Sequence, residues 1–94
     1  MKNLPDKDEQ RYVLSMAQRA VAKLGLRAEE SGWDKLNQKY MVRIVQHNSG
    51  KANVVRIGQA MVERCMAERK DSDIVNEISR QAAEAFPQLG GGEP

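Results

Sequence analysis

The sequence predicts an all-α domain, a small bundle of about four helices, from three observations. Apolar residues recur at three- and four-residue intervals along most of the chain. Helix-start signals, at Asp6, at Ser31 and across Asp71-Ser72-Asp73, stand before three of the apolar stretches. Stop signals, at Gly25, at Asn48 with Gly50 and at Pro87, close three of them.

The first helix spans residues 6 to 24, with Asp6 and Glu9 in capping-box spacing and Val13, Met16, Ala17, Ala20 and Leu24 on one face. Gly25 supplies a left-handed stop, onto which Leu26 folds back. Residues 27 to 30 read as a linker or a short helical turn. Ser31-Gly-Trp-Asp34 then resembles a second capping box, and Trp33, Leu36, Tyr40 and Ile44 continue at helical spacing to about residue 47. The third helix carries Val54, Ile57, Met61 and Cys65 as its stripe. The fourth opens at Asp71-Ser72-Asp73, has Ile74, Ile78, Ala82, Ala85 and Phe86 as its apolar side, and stops at Pro87. Residues 1–87 make one helical domain, and QLGGGEP, residues 88–94, is expected to be a flexible tail.

One phrase occurs nearly twice, MVRIVQ from Met41 and VVRIGQ from Val54, around the spacer HNSGKAN. Six of its residues are β-branched, which favours strands on propensity. Neither copy alternates cleanly between apolar and polar, whereas both continue helical stripes that extend beyond them, so two helices are preferred. The alternative is an α+β chain with a β-hairpin or a single strand within residues 40–58. If only NVVRIG is a strand, followed by helices at 59–69 and 73–86, the element order resembles the ribbon-helix-helix DNA-binding fold over about the last 40 residues. That likeness rests on order alone, and the strand lacks the alternation of buried and base-reading positions, so no family is assigned.

Composition narrows the classes. Ninety-four residues, 40% apolar and 30% charged, describe an ordinary globular chain with a modest core. No apolar run approaches membrane-span length and the first ten residues lack a signal peptide's apolar region, so a cytoplasmic protein is expected. One cysteine and one histidine exclude an internal disulfide and a Cys/His zinc site within one chain. With no catalytic or cofactor motif, the chain reads as a binding or regulatory module that is not an enzyme and needs no cofactor. The pairs Glu29/Glu30 and Asp71/Asp73 read as an exposed linker and a helix start.

Charge is the main functional signal. No acid occurs between Asp34 and Glu63, while Lys35, Lys39, Arg43, Lys51 and Arg56 give that window a charge of +5, against −3 for the rest. On a helix Lys35, Lys39 and Arg43 form an exposed ribbon at four-residue spacing, with Lys51 and Arg56 just beyond the turn. The expected partner is therefore the phosphate backbone of DNA or RNA, met with little base readout. His47 is placed to complement the dipole at a helix end, and Cys65, on an apolar stripe, is a buried thiol. The alternative is a protein-interaction module, an adaptor or inhibitor, docking through Met41, Val42, Val45 and Met66, apolar groups that four short helices leave incompletely covered. A homodimer would complete such a core.

Overall fold

Asp6 opens the first helix as foreseen, its carboxylate accepting from the backbone N–H groups of Asp8 (2.8 Å) and Glu9 (3.1 Å). This helix, α1, runs Lys7–Ala22 and ends where Gly25 takes φ +72°, a conformation that carries no Cβ penalty in glycine. Leu26 does not fold back on it but begins a strand. In the computed structural model, which describes residues 5–87, the order continues as β1 (Leu26–Asp34), β2 (Lys39–Gln46), β3 (Ala52–Gly58), α2 (Gln59–Glu68) and α3 (Asp71–Ala85). The fold is therefore α+β and not an all-α four-helix bundle. The expected tail, residues 88–94, lies outside the described residues.

The sheet is antiparallel with strand order β1-β2-β3. The register pairs Val42 with Val55 and Arg43 with Val54, so the two copies of the repeated phrase lie against each other. The spacer is the hairpin loop between them: Gly50, at φ +70°, donates its N–H to the Gln46 carbonyl, and the Gln46 N–H reaches the Lys51 carbonyl. The other hairpin turns through residues 35–38, where Asp34 accepts from the backbone and side-chain N–H groups of Asn37 and Gln38 takes φ 53°. The register between β1 and β2 shifts once, between Ala28 and Ser31.

The helix expected over residues 32–47 fails for a countable reason. Tyr40 and Ile44 are four residues apart, a spacing that puts them on one side of a helix and, being even, on one face of a strand as well. Trp33 joins them by pairing opposite Tyr40, its ring 4.8 Å away centre to centre, while Leu36 sits 90% exposed in the turn. The expected third helix divides into β3 and α2, Val55 and Ile57 pointing inward from the strand and Val62 and Cys65 from the helix. Element order after residue 52 is thus strand, helix, helix, as in the ribbon-helix-helix outline, but β3 pairs with β2 of its own chain.

The helices cover one face of the sheet. Val13, Ala17, Ala20 and Val21 of α1 form one cluster with Val42, Ile44, Val55 and Ile57 of the sheet, Val62 and Cys65 of α2, and Ile74, Ile78 and Ala82 of α3. Every aromatic residue of the chain also lies on this side: Tyr40 and Phe86 are buried, and Tyr12 and Trp33 pack against the cluster. Phe86, at φ −126°, terminates α3 immediately before Pro87. Among the described residues, no helix lies on the other face of the sheet.

Candidate functional site

Alternation decides what the uncovered face carries. Tyr40, Val42 and Ile44 point into the core, so Lys39, Met41, Arg43 and Val45 point outward. On β3 the inward residues are Val55 and Ile57 and the outward ones are Val54, Arg56 and Gly58. On β1, Arg27 lies opposite Val45, Gly32 opposite Met41 and Asp34 opposite Lys39.

Lys39, Arg43 and Arg56 are therefore exposed side chains of a single sheet face. Lys39 and Arg43 stand about 13 Å apart along β2, at roughly 3.3 Å per residue. Arg56, opposite Met41, lies between them on the neighbouring strand, within the roughly 7–8 Å diagonal reach of each. Lys35 and Lys51 occupy the two hairpin turns, at opposite ends of β2. The five cations form no helical ribbon; Lys39 and Arg43 stay together because even spacing on a strand keeps side chains on one face, Arg56 joins them from β3, and Lys35 and Lys51 stand in the turns at either end of β2.

The acidic groups of the sheet itself lie on β1, while Glu77 and Glu84 of α3 stand beyond the β3 edge. Glu29 of β1 pairs with Arg27 at 2.7 Å and reaches Arg43 at 4.0 Å. The Asp34 carboxyl is held below the usual range first by the hydrogen bonds from Asn37, with Arg56 adding to the effect. The face is thus polarised across its width, cationic on β2 and β3 and mixed on β1.

Along the outer edge of β3 runs an open groove of about 520 Å³ between Lys39 and Arg56 on the sheet and Arg80, Gln81 and Glu84 on α3. Arg80 is engaged there with Glu77 at 2.5 Å and Glu84 at 2.9 Å, and the Glu77 carboxyl is kept below its ordinary range by its hydrogen bonds from Arg80 and then Gln81. Gln81 spans the edge: its Oε1 accepts from the Arg56 N–H at 2.9 Å and its Nε2 donates to the Arg56 carbonyl at 2.8 Å. One side chain thereby fixes the backbone from which the central arginine projects.

The alternative docking residues do not share a surface. Val42 is fully buried and belongs to the core, Val45 is 9% exposed, and Met66 is 36% exposed on α2, away from the sheet. Met41 alone lies partly exposed among the cations. His47 occupies an exposed turn with no helix end to complement. Cys65 is wholly buried, and burial pushes its thiol up, in keeping with an inert core role. No group of acids, His and Cys suited to a metal ion occurs among the described residues, and no helix among them is long and apolar enough to cross a membrane. Two contributors went unread in the sequence: Arg27, in a stretch with no period to place it, and Gln81, whose role depends on a strand 25 residues earlier.

Compared with known proteins, the chain matches no family model, no curated protein and no solved structure.

Proposed function

We propose that the chain binds nucleic acid through the uncovered face of its sheet, with Lys39, Arg43 and Arg56 as phosphate contacts and Lys35 and Lys51 extending the track at its ends. The observation that supports this reading most is the convergence of those three exposed cations on one helix-free face, while the acids of the sheet gather on β1. β2 is eight residues long, about 26 Å at roughly 3.3 Å per residue. Duplex DNA presents about one charge per 1.7 Å of axis, so a track of that length faces several phosphates at once. Short apolar groups between the cations offer little hydrogen-bonding readout of bases, and the interaction belongs to the sequence-independent class.

The test is fluorescence anisotropy of labelled DNA and RNA at low and at physiological salt. Binding should weaken steeply with salt, and each of Lys39→Gln, Arg43→Gln and Arg56→Gln should lower the log–log salt slope by about 0.7 to 0.9. The combined change of Lys39, Arg43 and Arg56 to Glu should abolish binding with the circular dichroism spectrum unchanged, since all three side chains are exposed. Undiminished affinity in that variant refutes the reading.

A further inference from the structure

Resting on that reading, we infer that the surface selects double-stranded over single-stranded nucleic acid. Proteins that hold single strands without sequence preference combine a cationic groove with aromatic side chains on which the bases stack. Here the two are separated by the sheet. All four aromatics, Tyr12, Trp33, Tyr40 and Phe86, are packed on the helix side, and the face that carries Lys39, Arg43 and Arg56 offers only Met41 and Val54 beside them.

The remaining contribution is electrostatic, and its geometry favours a rigid partner. Lys39 and Arg43 project from alternate outward positions of a paired strand, and Gln81 clamps the backbone at Arg56, so the cations start from fixed points on the sheet. A duplex presents its phosphates in a lattice that is already ordered. The roughly 13 Å between the backbone positions of the two β2 cations, from about 3.3 Å per residue, is of the order of the ~12 Å width of the B-form major groove. A flexible single strand must be ordered to match the same points, at an entropic cost that no stacking offsets. Charge complementarity and the absence of a π surface thus identify the occupant as a duplex gripped by its backbones.

A 20-base-pair DNA duplex, the RNA duplex of the same sequence and their component single strands serve as probes in one anisotropy titration at fixed salt. At least one duplex should bind tenfold or more tighter than its own strands, with little change on scrambling the sequence. The complementary variant is Val54→Trp, at a position 44% exposed on the cationic face. It adds the missing stacking platform and should raise single-strand affinity by roughly tenfold while leaving duplex affinity within a factor of two. Single strands binding the unaltered protein as tightly as duplexes overturn the selectivity but leave the phosphate reading standing. Binding to none of the probes overturns both.

Discussion

Glu9 is the residue whose setting departs most from its apparent role. Its spacing from Asp6 marks it as half of a capping box, yet it is 5% exposed and accepts from the Tyr40 hydroxyl at 2.5 Å and the Gln59 Nε2 at 3.3 Å. The same hydroxyl oxygen accepts the Asp6 N–H at 3.1 Å, so one buried group joins the start of α1, the middle strand and the start of α2. Removing that hydroxyl takes a donor from the buried Glu9 side chain and an acceptor from the Asp6 N–H; Tyr40→Phe should lower stability by about 1.5 to 3 kcal/mol in urea unfolding.

The tyrosines also set a pH dependence. Burial, then the bond to Glu9, pushes the Tyr40 hydroxyl up to about 12, and burial with the Asp71 bond raises Tyr12 as well. An unfolded chain loses these protons near pH 10 while the folded chain keeps them. Their contribution is complete below about pH 10 and declines as pH rises through the folded values. The urea midpoint should therefore drop between about pH 10 and 12. Tyr12→Phe, which loses a 2.6 Å bond to Asp71, should start about 1 kcal/mol lower and show a shallower drop. At Cys65, a thiol reagent should react only after denaturation.

Among the elements, β3 is the informative one. It is an edge strand, and exposed edges invite pairing with other chains. Gln81 meets the Arg56 N–H and carbonyl as a neighbouring strand would, while Asn53 Nδ2 donates to the Ala85 carbonyl at 3.4 Å. Gln81→Ala should uncover the edge and produce concentration-dependent association, read by sedimentation velocity, with the monomer's helix and strand content retained. The hairpin loop depends on Gly50 at φ +70°, where a Cβ meets nothing within 4 Å, so the cost of Gly50→Ala is backbone strain alone. A loss of about 1 kcal/mol is expected, visible as a lower thermal midpoint.

For the whole molecule, division of labour between the sheet's two faces is the organising fact. Apolar burial is concentrated on the helix side, and the uncovered side carries Lys39, Arg43 and Arg56. Because these charges are exposed, altering them should change binding far more than folding. Conversely, a duplex that binds the folded chain at a hundredfold excess over its dissociation constant should add about 2.7 kcal/mol to stability. Thermal unfolding with and without duplex measures this, and the gain should vanish when Lys39, Arg43 and Arg56 are all changed to Glu.

Much was legible from local chemistry. The cap at Asp6, the glycine stop at Gly25, the acidic start of α3 and its end before Pro87 were readable because each depends on neighbours in the chain. The run of cations was readable too, since composition does not depend on the fold. The strands were not readable from period. Met41, Val45 and Val54 place apolar groups on the uncovered face and blur the alternation, while the even spacings of Tyr40 and Ile44 and of Lys39 and Arg43 satisfy helix and strand alike. The β-branched residues of the repeated phrase were the better guide, because propensity does not require one face to be purely polar.

By itself, then, the sequence determined which residues are charged, which are β-branched and where helices start and stop. Only the tertiary structure decided that Met41–Gln46 and Val54–Gly58 lie side by side as strands, that Arg27 joins their outward face, and that Gln81 closes the edge. The physical reason is that a strand acquires its hydrogen bonds and its buried face from partners distant in sequence, whereas a helix cap is complete within a few residues.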